Sequence, residues 1–173
     1  MKTLRTLMMV AFTILSLQAC KKDNDDNYAM DNQSFVTQAS SSNNFEVLAG
    51  AIALQKAQNA SVKHYGEHMV TDHTAVGNEM KSLAAAKGWT VPTALQPKEQ
   101  ANLDRLNSMD ASVFDTEFMK IMVASHQDAI ALFSNATGDM GVYDADLRSF
   151  AGAKLPSLKT HLQEAVNLQA QVK

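Results

Sequence analysis

The chain has one cysteine in 173 residues, three prolines, one tryptophan and few aromatic residues of any kind. A lone thiol has no partner for an intramolecular disulfide, so any staple must come from packing. Basic residues are not clustered on any segment, and aromatics are too sparse for base stacking, which excludes a nucleic-acid-binding surface. There is no Gly-rich phosphate loop and no His-Glu-x-x-His protease motif. Internal repeats are absent, and no segment alternates with the period of a strand. No Ser or Cys nucleophile stands out either. Ser125 precedes His126 directly, and adjacent helical residues point about 100 degrees apart, which argues against a Ser-His couple.

The chain does contain a leader. Lys2 and Arg5 open a basic start, Leu7 to Leu17 is largely apolar, and Leu17-Gln18-Ala19-Cys20 follows. That order is a secretory signal with a small residue before the cut. With Cys as the first residue after it, the segment resembles the lipobox of bacterial lipoproteins, in which that thiol carries the lipid. We expect residues 1–19 to be the signal, 20–30 a lipid-anchored tether and 31–172 one domain. Acyl chains contribute about 0.8 kcal/mol per buried CH2, enough to hold a protein on a bilayer through Cys20 alone. Lys21-Lys22-Asp23-Asn24-Asp25-Asp26 has no Asp at the second position, where enterobacterial lipoproteins read inner-membrane retention. It also resembles the Lys-plus-acidic signal of surface lipoproteins of the Bacteroidetes type. The implied location is the cell envelope, at the outer membrane. Loss of Lys2 and Arg5 takes the formal charge from −3 to −5.

Beyond residue 31 the apolar residues recur with a period near 3.6, with little Gly or Pro inside the segments, and four long helices are predicted. The first, about 31 to 58, has Val36, Ala39, Ala49, Ile52 and Ala53 inward. The second, about 61 to 87 with Ser61 as cap, has Val62, Tyr65, Met69, Val76, Met80 and Leu83. The third, about 111 to 137 behind Asp110, has Phe114, Phe118, Met122, Ala129 and Phe133, and Gly138 and Gly141 stop it. The fourth, about 144 to 171, has Leu147, Phe150, Leu158, Leu162, Ala165 and Leu168, with Pro156 removing one amide donor inside it. Short connections make the first and second helices, and the third and fourth, antiparallel neighbours. Gly88 to Met109, with its own short helix near Pro97 to Leu106, is long enough to travel the bundle. The predicted fold is therefore all-α, a ferritin-like four-helix bundle with one long crossover between helices two and three.

Polar residues interrupt each inward stripe once: Glu46, His73, His126 and His161. Counting 1.5 Å of rise per residue from the tight turns, Glu46 and His73 fall at one level and the other two within roughly 4 to 6 Å of it. Three imidazoles and a carboxylate on separate helices suit one transition-metal ion such as iron, zinc, copper or manganese. Asp72, Glu117 and Glu164 lie near the inward line and are candidates to orient a ligand imidazole. Met69 and Met122 are read as core packing, though inward thioethers would favour copper. His64 and His68, four apart, form a possible surface pair with Asp72 one turn on, but their face is otherwise polar and reads more simply as solvated.

Phe35-Val36, Glu46-Val47, Met69-Val70-Thr71-Asp72-His73, Gly88, Val91-Pro92, Phe114-Asp115, Met122-Val123-Ala124-Ser125-His126, Leu155-Pro156 and His161-Leu162 together resemble the ferritin-like domain of unknown function 4142. The resemblance spans about residues 31 to 170 and implies an exported four-helix domain without naming an activity. Met122 to Ile130 is also similar to the Met-x-x-His-His-x-x-Ala-Ile segment of domain of unknown function 305, some members of which are linked to metals. Here Ser125 stands in place of the first His. The two Glu-x-x-His motifs of di-iron ferritin-like enzymes are missing, and His161-x-x-Glu164 runs in the reverse order, so oxygen activation at a di-iron centre is poorly supported. The leading expectation is an envelope-anchored protein that binds or buffers a transition metal. The alternative is a non-catalytic envelope interaction module, bound to a partner protein, whose buried polar network fixes helix register. An enzyme ranks third. If Cys20 carries the lipid, Cys20→Ser should move the protein from the membrane to the soluble fraction of fractionated cells, and continued sedimentation with membranes would refute the anchor.

Overall fold

A computed structural model describes residues 27–172, so the signal, Cys20 and most of the tether lie outside the described residues. Five helices follow one another: α1 (Asn32–Lys56), α2 (Ala60–Lys87), α3 (Pro97–Ser108), α4 (Ala111–Thr137) and α5 (Ala145–Gln171), with no strand among the described residues. The expected four-helix bundle with one long crossover is what forms. α1 packs mainly on α2 and α4 on α5, and the two pairs meet through α1 against α4 and α2 against α5. None of these helices is long and apolar enough to cross a membrane.

Local chemistry sets the ends. Asp31 caps α1 by accepting from the Ser34 amide at 2.8 Å, and Asp144 caps α5 by accepting from the Asp146 and Leu147 amides. The cap of α2 is Asn59 and not the expected Ser61: its amide oxygen accepts from the Ser61 N–H at 2.8 Å, which starts the helix at Ala60. Asp110 stands at the cap position of α4 without a side-chain bond to it. Gly88 ends α2 in the left-handed conformation, φ 76°, where a Cβ would be strained.

The crossover lies along α1. Gln33 and Thr90 exchange two hydrogen bonds, the Gln96 amide donates to Ser41 Oγ at 2.7 Å, and that hydroxyl donates to Glu99. Lys56 Nζ closes the far end by donating to the carbonyls of Leu106, Asn107 and Met109, which end α3. Asp115 on α4 accepts from the Gln58 and Asn59 amides and so fixes the α1–α2 turn to α4.

The apolar core is in two parts. One cluster, near the start of α2 and α4, includes Phe45, Tyr65, Met69, Phe114, Phe118, Met119, Met122, Ala165 and Leu168. The other, near the start of α1 and α5, includes Phe35, Val36, Met80, Ala129, Phe133, Leu147 and Leu158. Of the stripe residues, Ile52, Val76, Leu83, Phe150 and Leu162 are only half-buried, because each sits at the edge of its helix's contact arc. Phe35 and Phe45, absent from the expected stripe of α1, are fully buried instead.

α1 and α2 approach closely at Gly50 and Gly66, where a Cβ on Gly50 would come within 2.5 Å of the Gly66 carbonyl oxygen. Since that neighbour is backbone, relief requires the helices to move apart. Gly50→Ala should therefore destabilise by about 1 to 3 kcal/mol despite its better helix propensity. Gly152→Ala, whose Cβ would meet only the Thr137 methyl at 3.6 Å, should be neutral or stabilising. Urea midpoints of the two variants test the contrast, and equal midpoints would show that no close helix approach exists at Gly50.

Candidate metal centre

Where the two apolar clusters meet, α2, α4 and α5 each turn one histidine inward. His73 comes one turn after Met69, His126 one turn after Met122, and His161 falls between Leu158 and Ala165. The 3.6-residue period that buries those neighbours must also bury the imidazoles, and all three are buried. Their ring centroids stand 5.5 to 5.8 Å apart. One ring nitrogen from each histidine lies within 4.8 Å of the other two.

The outer nitrogens settle the tautomers. His73 Nδ1 is 3.2 Å from Asn43 Oδ1, His126 Nδ1 is 3.0 Å from the Met122 carbonyl oxygen, and His161 Nε2 is 3.0 Å from Asp72 Oδ2. The Met122 carbonyl and the Asp72 carboxylate can only accept, and Asn43 presents its amide oxygen to His73, so in this arrangement each of these nitrogens donates. A neutral imidazole has one N–H, and the other nitrogen is then a bare lone pair. Those other nitrogens are His73 Nε2, His126 Nε2 and His161 Nδ1, and all three are buried without a hydrogen-bond partner.

Burial keeps the rings neutral. It pulls His126 down to about 4, against which the Met122 carbonyl works only weakly. His73 falls well below its usual value through burial and the neighbouring His126 and His161, and His161 is lowered by burial and His126 against the opposing pull of Asp72.

Glu46 stands beside this set and not within the group of three. Its Oε1 accepts a 2.5 Å hydrogen bond from Ser125 Oγ and lies 3.6 Å from His126 Nδ1, on the side of the ring that already donates to Met122. Burial pushes its carboxyl up to about 8, and its Oε2 is left unpartnered. Asp72 reaches across to α5 and holds His161. Glu117 and Glu164 are engaged elsewhere: Glu117 pairs with Arg105 on α3, and Glu164 lies 3.6 Å from His68 on α2. Tyr65 covers the set from the first cluster, its hydroxyl donating to the His161 carbonyl at 3.4 Å. A cavity of about 20 Å3, room for roughly one water, adjoins His73 and His161 and is rimmed by Asn43, Asp72, Lys154 and Ser157.

Asn43 and the Met122 carbonyl are orienting partners beyond the expected Asp72, Glu117 and Glu164, and of the two only Asn43 is a side chain. The available signal was its place three residues before Glu46, on the same side of α1. The Met122 carbonyl leaves no sequence trace beyond its i−4 relation to His126.

Residues 18–168 match the family described as "Domain of unknown function (DUF4142)". The chain belongs to that family. No curated protein matches the sequence. Among solved structures, this DUF4142 chain resembles "CopM in the Cu(II)-bound form", with a TM-score of 0.66 and 19% identity over 82% of this chain and 97% of that one. At that identity the likeness establishes the shared helical fold.

The site's titrations give a pH profile with opposed limbs. As pH drops below 6.5, the unfolded chain protonates histidines that the folded chain keeps neutral, so stability falls from 6.5 down to about 4. Glu46 has the opposite sign. The folded chain holds its proton up to about 8 while the unfolded chain loses it near 4.5, so its contribution, full below 4.5, is lost as pH rises to 8. Three histidines outweigh one carboxyl up to about pH 6.8, because the unfolded imidazoles are still partly protonated there, and Glu46 dominates above that. The protein without bound metal should be most stable near pH 7 and lose on the order of 0.5 kcal/mol by pH 8, the net of a larger loss from Glu46 and a gain from the histidines. Glu46→Gln should flatten the alkaline limb. Urea midpoints across pH check this, and wild-type and Glu46→Gln profiles that run parallel from pH 6.5 to 8 would contradict it.

Proposed function

We propose that this protein binds one transition-metal ion in the middle of its bundle through His73, His126 and His161. The observation that carries the reading is that one ring nitrogen of each of three buried histidines lies within 4.8 Å of the other two, while each ring bonds outward through one nitrogen and keeps the other buried without a partner. A polar network built to fix helix register would pair these atoms with one another, since each left unpaired costs about 1 to 3 kcal/mol. One water offers two hydrogens and can satisfy two of the three lone pairs, whereas a cation satisfies all three.

The residues present fit such an ion. Nitrogens bound tetrahedrally at about 2.0 to 2.1 Å from one centre stand roughly 3.4 Å apart, so from separations within 4.8 Å the rings would draw in by up to about 1.4 Å around an ion. Asn43, the Met122 carbonyl and Asp72 fix the three ring orientations, the role that carboxylates and carbonyls play behind metal-bound imidazoles. Three neutral nitrogen donors favour borderline ions over magnesium or calcium, with copper(II) tightest by the general order of affinities. The copper named for CopM agrees with this choice. When bound, such an ion supplies Lewis-acid or redox character, and the chain's own residues hold it, orient its ligands and exclude bulk water. The small cavity beside His73 and His161 offers an approach. We further propose that the lipid on Cys20 holds this domain at the bacterial envelope, so that it sequesters metal there.

Metal dependence of stability tests the core site. Copper(II) or zinc(II) at 100 times its dissociation constant should stabilise the folded protein by about 2.7 kcal/mol, with manganese(II) far weaker. His73→Ala, His126→Ala and His161→Ala should each abolish this shift in melting temperature while keeping the helical circular dichroism. A shift that survives in all three variants would sink the site.

A further inference from the structure

The α2–α5 seam carries a second set of donors outside the core. His64 and His68, four residues apart on α2, place their ring centroids 4.2 Å apart on one face. Across the seam, Glu164 Oε2 lies 3.6 Å from His68 Nδ1, while Glu67 Oε2 lies 3.5 Å from His64 Nδ1. His64 and Glu67 are exposed, and His68 and Glu164 are half-buried. One turn further along this face comes Asp72, half exposed, which accepts from His161 and lines the small cavity reaching His73 and His161.

We propose that His64, His68 and Glu164 form a surface site for a divalent transition-metal cation, and that this site loads the core centre by way of Asp72. The proposal rests on the core reading for its destination. Two imidazoles with carboxylate oxygen beside them make a borderline donor set for such an ion. The surface and core sets differ in kind. The surface set is anionic and open to solvent, so it attracts a cation and exchanges it quickly, whereas the core set is neutral and enclosed and holds the ion once it arrives. From residue 68 to residue 72 is about 6 Å along the helix, so the steps between donors are short. The His161–Asp72 bond couples the two sets, because Asp72 touches a core ligand with one oxygen and faces solvent beside the surface pair.

The test uses the full chain, stripped of metal, with copper(II) alone as probe. Equilibrium dialysis should find two ions per chain for the wild type, one tight and one weaker. The paired variant His64→Ala/His68→Ala should keep the tight ion alone, and His126→Ala the weaker one alone. In stopped-flow absorbance, filling of the core should slow by about tenfold in the paired variant, with unchanged final affinity. Glu164→Gln, which keeps shape and removes charge, should slow it less. Unchanged stoichiometry in the paired variant overturns the surface site. Loss of the second ion with an unchanged loading rate overturns its loading role. A wild type that binds one ion, lost in the paired variant and kept in His126→Ala, would instead defeat the core reading and leave the surface site standing.

Discussion

Three neutral imidazoles turned toward one another in a water-poor interior are the constraint around which this bundle is organised. Each inner lone pair raises the energy of the metal-stripped fold, and each is kept in place by a donor bond on the far side of its ring to Asn43, the Met122 carbonyl or Asp72. Those three bonds reach into three different elements, so the ring positions are set by α1, α4 and α2 together. The apolar core divides around them. Met69, Met122 and Ala165 belong to one cluster and Met80, Ala129 and Leu158 to the other, with His73, His126 and His161 between these pairs on α2, α4 and α5.

That division explains how the remaining contacts are distributed. α1 and α2 are pressed together by glycines at Gly50 and Gly66, and the α4–α5 pair is similarly extensive. The α2–α5 seam is more lightly packed and is bridged by polar pairs along its length: His68 with Glu164, Asp72 with His161, Glu79 with Lys154, and Lys87 with Asp144. Polar pairs with at least one partner open to water, as Glu79 with Lys154, are screened and add little, so the seam is the natural place for the bundle to loosen. Asp72 and the small cavity border His73 and His161 on this same side. Stability is concentrated where the chain must hold, and access lies where it can give.

Much of this was legible in the sequence because helices convert spacing into depth. The helix limits, the crossover and the common level of the inward polar residues all follow from a period of 3.6 and a rise of 1.5 Å counted from short turns. What spacing cannot supply is orientation between helices. Ser125 and His126 point about 100 degrees apart on α4, and that rotation delivers the serine hydroxyl to Glu46 on α1, which holds the carboxyl on the donating side of His126. Glu117 and Glu164 lie near the inward line of their own helices, but Arg105 and His68, contributed by other elements, decide where they point. The cap of α2 shows the same limit on a smaller scale. Ser61 and Asn59 are both good caps by type, and the backbone turn that favours Asn59 depends on Asp115 of α4 holding the Gln58 and Asn59 amides.

Glu46 draws these strands together. A buried carboxyl with its pKa raised to about 8 is a neutral group at the pH where the histidines are also neutral, so the centre of the stripped protein carries no net charge. A cation held by the three nitrogens would favour the ionised form of the nearby carboxyl, and an ionised Glu46 would in turn favour the cation. The serine bond at 2.5 Å is suited to either state, because a hydroxyl can donate to a carboxylate or to the carbonyl oxygen of an acid. The same low-dielectric interior that makes three lone pairs costly when unpaired also penalises an isolated charge, so a cation there would depend on the three nitrogens and on an ionised Glu46 to offset its lost hydration.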